Sequence, residues 1–384
     1  MKIICTATSF GYGPISKLLT ICKELKNTDC ELLLVGNGIC IELASHTEYF
    51  KEIINFDFNK ADQLSELEYI KGADLWLDVL EPLACPIANK LNIPFIYVDS
   101  LFWMWDKIHP MLKDVSHYIA QDFPGVREKV KDFQQEIHKN VEKFHISTPI
   151  VDKSFLKDQQ SNSDLLMINF SGIETPLSKP NEIMNYPDSL FQMLVKALNN
   201  SRYDEIIVTG NKKVMNQLDN KYGPIFRGEF KHLSHDEFLK TLNRSKMIIT
   251  SPGLTLTYEA MAYKVPIRFL PAQNYSQALM LKRHRSSGFT DISFDWSDIY
   301  SHYQIKKDLP EEEGVELVSR IVNEFYGDIK EGKFKKISLL EDMVNITPPE
   351  VSKQTINIGD YRDALKIIQD ILMKKKEAIV SNLA

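Results

Sequence analysis

The stretch Ser251-Pro-Gly-Leu-Thr-Leu-Thr-Tyr-Glu-Ala-Met261 places a glycine and two threonines straight after the apolar run Met247–Ile249 and at the start of a helix-forming sequence. The first amides of a helix have no partners within it, and the helix dipole is positive at that end. A glycine there lets an anionic group approach the backbone, and phosphate is the natural ligand. Ser251, Gly253 and Leu254 would offer backbone donors, Thr255 and Thr257 hydroxyls, and Glu259 an acceptor for a ribose diol. The same residues also fit a plain capping turn, with Ser251 as the cap and Pro252 at the first helical position.

A second group lies in Tyr97-Val-Asp-Ser-Leu-Phe-Trp-Met-Trp-Asp106. Asp99 falls at the end of an expected strand, followed by Phe102, Trp103 and Trp105. A carboxylate beside indoles at a strand's C-terminal end suits a base next to a flat acceptor, with Trp103 stacking on it. The aromatics fit a core equally well. His109, able to titrate near neutrality, is the second choice for the base, and Asp78 the third. Near the start, Ser9-Phe-Gly-Tyr-Gly-Pro-Ile-Ser-Lys17 has a Gly-x-Gly spacing but carries Ser16 where a dinucleotide fingerprint needs its third glycine. Val35-Gly36-Asn37 also lacks the acid that would hold a ribose, which argues against an NAD domain.

The elements that must position these residues alternate between β-rich runs and segments of helical period. Strands are predicted at Lys2–Ala7, Glu31–Val35, Glu52–Phe56, Leu75–Val79 and Pro94–Val98. A second series follows at Leu165–Phe170, Glu205–Thr209, Met247–Thr250 and Ile267–Leu270. Ile15–Lys26 repeats apolar residues at helical spacing, and Val126–Val141 reads as a charged helix. Alternation of this kind predicts parallel, doubly wound sheets. A polar break at 157–164 divides 1–155 from 156–355, and the amphipathic segment Tyr361–Lys376, within 356–384, is expected to dock across the junction. The expected class is α/β with two Rossmann-like halves, ligand lying where their strand C-termini face one another.

Ile249 to Pro266, followed by Leu270-Pro271 and Asn274-Tyr-Ser-Gln277, resembles the donor-binding stretch of GT-B glycosyltransferases. Gly253, Thr257, Glu259, Ala260, Pro266 and Gln277 fall in register with that pattern. Pro252 and Thr255 replace two of its glycines, Lys264 replaces the glycine before Val-Pro, and Ser276 replaces an acid that usually contacts sugar hydroxyls. The resemblance implies a GT-B fold with a nucleotide-sugar donor, most simply UDP-linked, in the second domain. Asn274 and Gln277 would then lie near the sugar, and Ser171, Gly172, Gly210 and Arg227 would be further donor-cleft candidates, each fitting turn chemistry as well. Gly11, Tyr12, Gly13 and Lys17 would face the acceptor, although Lys17 suits a surface equally. Retaining members usually carry a glutamate eight residues before the helix glutamate, where this chain has Ser251, so inversion is implied. Three short patches, 10–17, 98–105 and 269–277, are also similar to cytosylglucuronate synthase-like enzymes of antibiotic biosynthesis. That implies transfer of glucuronate to cytosine, and Ser276 in place of an acid would spare a carboxylated sugar a like charge.

Composition narrows the field. The 384 residues are 43% hydrophobic and 26% charged, ample for two cores. A net charge of −6 argues against broad nucleic-acid binding. Five cysteines, with no C-x-x-C pair, read as reduced thiols and a cytoplasmic setting. No secretory leader and no membrane span are expected. No Asp-x-Asp pair occurs, so neither a metal clamp nor any other cofactor is expected, and Lys, Arg and helix amides would hold the diphosphate. A homodimer is left open. A nucleotide-sugar hydrolase or epimerase, or a non-catalytic sugar-nucleotide-binding subunit, are the alternatives.

Overall fold

Apolar runs that are buried on both faces decide the architecture. The computed structural model describes residues 1–60, 70–156, 163–171, 173, 179, 181–334, 338–350 and 363–383. They form two compact units, Met1–Asp152 with Asn357–Ala384, and Lys153–Ile356.

In the first unit β1 (Lys2–Ala7), β2 (Glu31–Gly36), β3 (Glu52–Asn55), β4 (Leu75–Val79), β5 (Phe95–Asp99), β6 (Val115–Gln121) and β7 (Val141–Ser147) make one parallel sheet. Its order is β3-β2-β1-β4-β5-β6-β7, with Ile4 in register with Leu33 on one side and Trp76 on the other. Every residue of β4 and β5 is buried. Sheets covered on both faces read as unbroken apolar runs, which is why these strands were predictable. The helices are α1 (Tyr12–Leu25), α2 (Ile39–Ala44), α3 (Ala84–Lys90), α4 (Val126–Asp132) and α5 (Gln134–Asn140). The expected helix over 126–141 is therefore two, broken at Phe133.

The second unit repeats the plan with β8 (Leu165–Asn169), β9 (Glu205–Thr209), β10 (Glu229–Lys231), β11 (Met247–Thr250) and β12 (Ile267–Phe269). These are parallel in the order β10-β9-β8-β11-β12. Its helices are α6 (Asn185–Asn199), α7 (Lys212–Tyr222), α8 (His235–Arg244), α9 (Leu254–Ala262), α10 (Tyr275–Ser286), α11 (Glu311–Lys330) and α12 (Ser338–Asn345). Gly228 is a packing glycine, since a Cβ there would stand 2.6 Å from the Ile206 carbonyl oxygen. Lys264 explains a glycine of the GT-B pattern. It takes φ +56 just past α9, where Val265 N–H bonds to Ala260 O at 2.8 Å and Lys264 N–H to Met261 O at 3.0 Å. That is a left-handed helix stop, usually glycine, and here a lysine holds it.

The last helix, α13 (Asp363–Leu383), belongs with the first unit. Thr148 Oγ1 donates to Asp363 at 3.2 Å, and Lys375 Nζ donates to the Asp74 carbonyl. Four of the five cysteines are buried, Cys30 is half-buried, and all are free. Among the described residues no helix is long and apolar enough to cross a membrane.

Candidate functional site

In an open parallel sheet, ligands bind at the strand C-termini where the order reverses. In the second unit that point lies between β8 and β11. The two strand ends are tied together by Asn169 and Thr250. Thr250 Oγ1 donates to Asn169 O at 3.0 Å, and Asn169 Nδ2 donates to Thr250 Oγ1 at 3.3 Å. The segment singled out at 251–259 leaves the sheet here.

Gly253, not Ser251, is the residue that opens α9. Its φ of −79° and ψ of 136° are open to any residue, and it makes no side-chain cap bond. An added Cβ would meet only Gln277 Nε2, at 4.0 Å. Neither backbone conformation nor packing within the protein requires a glycine at this position, unlike Gly228. Its bare backbone leaves space at the positive end of a helix dipole.

Gln277 adds donors to that space. Its Oε1 accepts from Gln273 N–H at 2.9 Å, which leaves the amide nitrogen as the end beside Gly253. Gln277 lies in the first turn of α10, and the loop 271–273 ahead of that helix is held by three long-range bonds. Tyr186 Oη donates to Pro271 O at 2.5 Å, Trp296 Nε1 to Ala272 O at 2.7 Å, and Gln273 Nε2 to Phe170 O at 2.8 Å. Gln273, Tyr186 and Trp296 were missed in the sequence. Gln273 lies inside the quoted stretch, but nothing local marks the other two.

The other donor-side candidates take varied places. Thr255 is half-buried at the helix start, and Glu259 is buried. Thr257 turns its hydroxyl back onto Gly253 O at 2.7 Å, so it pins the first turn instead of facing an anion. Asn274 caps α10, accepting from Gln277 N–H at 3.1 Å and Ser276 Oγ at 3.0 Å. Ser171 stands at the reversal with φ +62 and accepts from Asn211 N–H at 3.2 Å, and Gly210 packs close to its carbonyl oxygen. Gly172 lies outside the described residues. Arg227 is elsewhere: its guanidinium donates to the carbonyls of Leu198, Ser201 and Tyr203, just ahead of β9 and thus at the N-terminal edge of the sheet. The basic run 282–285 ends α10, on the order of 15 Å along the helix from Asn274. Arg285 is bound there to Asp298, and His284 is buried against Phe269.

The corresponding point of the first unit lies between β1 and β4. Gly11 opens α1 with φ +63, and a Cβ there would meet nothing within 4 Å. Tyr12 Oη donates to Glu42 at 3.4 Å, and Gly13 lies within the first turn of α1. Lys17 is buried, its ammonium 5.9 Å from the Phe123 ring centroid, so it is not a surface residue.

Asp99 departs from the expectation of an accessible base. It is 0% exposed, with Oδ1 accepting from Leu101 N–H at 2.5 Å and Oδ2 from Tyr118 Oη at 2.5 Å and Trp105 Nε1 at 2.9 Å. Burial pushes its carboxyl up to about 6 against these hydrogen bonds. Asp99 fastens the aromatic loop to β6. Phe102 and Trp103 are core, Phe102 lying 5.7 Å from the Tyr118 ring and 5.3 Å from that of Phe144. His109 is exposed and caps a short turn, its Nδ1 accepting from Met111 N–H at 3.3 Å, and burial first, then Lys107, lowers its pKa. Asp78 is sealed beneath Thr6 Oγ1 and Glu81 N–H, and burial raises its carboxyl well above the usual range.

No protein-family model matches this chain, and no curated protein shows significant similarity to it. Solved structures do. The co-structure of S. aureus MnaA with UDP is similar over 87% of this chain and 97% of that chain, at 14% identity and a TM-score of 0.52. MurG of Acinetobacter baumannii is similar over 96% of this chain and 99% of that chain, at 12% identity and a TM-score of 0.48. CalG4, the calicheamicin glycosyltransferase, covers 86% and 94% respectively, at 12% identity and a TM-score of 0.47. Among the described residues the two sheets, of seven and five strands, are all parallel, and this chain has the α/β GT-B fold.

Proposed function

We propose that the protein is a glycosyltransferase that moves a sugar from a UDP-linked donor to a small acceptor with inversion. The observation that carries this reading is Gly253: a glycine with no internal reason, at the start of a helix, at the reversal of a parallel sheet, beside the amide of Gln277. Fixed N–H donors at a helix start hold the diphosphate and stabilise the negative charge that develops on it as the glycosidic bond breaks. UDP is the first nucleotide to test because it is the one in the S. aureus MnaA co-structure, whose fold is similar. Ser251 in place of a carboxylate favours direct displacement over a route through an enzyme nucleophile.

The narrower reading is transfer of glucuronate to a flat acceptor such as cytosine. Ser276 supports it: its hydroxyl is bound to Asn274, so no carboxylate of that residue opposes a uronate. On this reading the enzyme works without metal or another cofactor, in the cytoplasm.

Gly253→Ala tests the site with little risk to the fold, since a methyl there has room and the backbone conformation suits alanine. Stability should change by less than about 1 kcal/mol. The dissociation constant for UDP, read by calorimetry, should rise at least about tenfold. Unchanged affinity would sink the placement. Rapid turnover of UDP-glucuronate with water alone, unaltered by cytosine, would favour a hydrolase over a transferase.

A further inference from the structure

A tyrosine ring occupies the space in which any other residue at position 314 would carry its Cβ. Gly314 is buried in the first turn of α11, and a Cβ built on it would stand 2.5 and 2.6 Å from Cδ2 and Cδ1 of Tyr275. Carbon atoms that are not bonded settle at about 3.5–4.0 Å, so a methyl here would force the ring or the helix aside by roughly 1 Å. We propose that Gly314 is a positioning residue for nucleotide binding: it lets Tyr275 seat against α11, and so holds the first turn of α10, with the Gln277 carboxamide, at its distance from Gly253. This role rests on the nucleotide reading above, and every residue in it belongs to the second unit.

Tyr275 and Gln277 take opposite sides of one helical turn, because residues two apart differ by about 200° around the axis. Tyr275 is 2% exposed, with its ring against Gly314, whereas Gln277 Nε2 lies 4.0 Å from the place of a Cβ on Gly253. The start of α10 is therefore set between the two glycines. The Tyr275 hydroxyl fastens the α11 side, donating to Lys306 O at 2.8 Å and accepting from Leu309 N–H at 3.2 Å, just ahead of α11. Further along α10, Lys282 Nζ donates to Ile305 O. The ring cannot swing away without breaking the bonds of its hydroxyl, so a push from residue 314 is passed on toward Gly253.

A second glycine of α11 shows what sets Gly314 apart. Within a helix, glycine is ordinarily less favourable than alanine. At Gly327 a Cβ would meet nothing within 4 Å, so packing there does not call for a glycine; at Gly314 the Tyr275 ring does. The same face of α11 also braces the loop ahead of α10. Phe325 lies about three turns on from Gly314, its ring centroid 5.4 Å from that of Trp296, whose Nε1 donates to Ala272 O. Thus α11 backs both the 271–273 loop and the helix that follows it.

The test is UDP affinity by calorimetry, with thermal unfolding alongside, for wild type, Gly314→Ala and Gly327→Ala, each also in a Gln277→Ala background. Gly314→Ala should weaken UDP binding roughly tenfold, since a binding group displaced by about 1 Å loses its geometry. With the displaced carboxamide removed by Gln277→Ala, the same substitution should change affinity by less than about twofold. A purely structural role would weaken binding equally in both backgrounds, and that result overturns the proposal. So does a Gly314→Ala protein that binds UDP like the wild type. Gly327→Ala should leave affinity within about twofold and raise the Tm. A loss there as large as that of Gly314→Ala also overturns the proposal, because any methyl added to α11 would then disturb the site.

Tyr275→Leu covers the case in which Gly314→Ala does not fold. It removes the ring that the methyl meets, so Gly314→Ala combined with Tyr275→Leu should fold and bind UDP as Tyr275→Leu alone does. A double variant that still fails to fold, or binds more weakly than Tyr275→Leu, overturns the proposal. If Gly253→Ala weakens UDP binding and Gly314→Ala does not, the nucleotide site stands and only this role falls. If the wild type binds no UDP, the nucleotide reading fails and this one with it.

Discussion

At the reversal in the second sheet, the loops offer the bare backbone of Gly253 and the carboxamides of Gln273 and Gln277; at the reversal in the first, they offer the carboxyls of Asp78 and Glu81. The two sheets share a winding order around that point. Topology therefore supplies the place and the loops supply the chemistry: bare backbone and carboxamide donors in one unit, carboxyls in the other. Their stiffening also differs. The donor loop is held by side chains from far along the chain, Tyr186 and Trp296, whereas Glu81 is held by near neighbours, Asp78 and Leu83, and by Thr8 across the strand pair.

The comparison is broken most severely by changing a carboxyl that only fastens. In Asp99→Asn an amide group must face the Leu101 N–H or the Tyr118 and Trp105 donors, which should cost about 2–3 kcal/mol in chemical denaturation. Asp99 also sets a pH slope. Its folded-state value of about 6 lies above the ordinary one near 3.9, so between them the native state keeps a proton that the unfolded chain has lost. Stability should fall as pH climbs through that window and level off above it, and the Asn variant should lose this component. Next in size is Gln277→Glu, which puts a negative charge where donors are needed. UDP affinity should drop about 10- to 100-fold, with the loss shrinking in high salt. An undiminished affinity would detach Gln277 from the anion site. Smallest is Arg227→Ala: it should cost about 1 kcal/mol of stability and leave UDP affinity within roughly twofold, because its partners lie at the other edge of the sheet.

Much of the fold was legible because strands covered on both faces leave long apolar runs, as in β1, β4, β5, β8 and β11. β6 and β7 were not, since Val-Ser-His-Tyr-Ile-Ala-Gln and Val-Glu-Lys-Phe-His-Ile-Ser mix polar with apolar residues, and β7 is largely uncovered. Three-residue β10 leaves too little pattern to read. Missing β6 had a price at the site. Tyr118, the residue that closes over Asp99, lies on that strand, so a strand-end carboxylate looked open when it was sealed. Gly253 was legible because a strand, a glycine and a helix followed one another in sequence. The bolts of its neighbouring loop were not, for Tyr186 and Trp296 meet the 271–272 carbonyls only once the chain has folded.

The return of α13 to the first unit bears on how the protein is made. During synthesis, Met1–Asp152 leaves the ribosome long before the helix that completes it, while Lys153–Ile356 is continuous and has all its parts first. The later-encoded unit is then free to mature ahead of the earlier one, whose flank near Asp74 and Thr148 waits uncovered until α13 has been made.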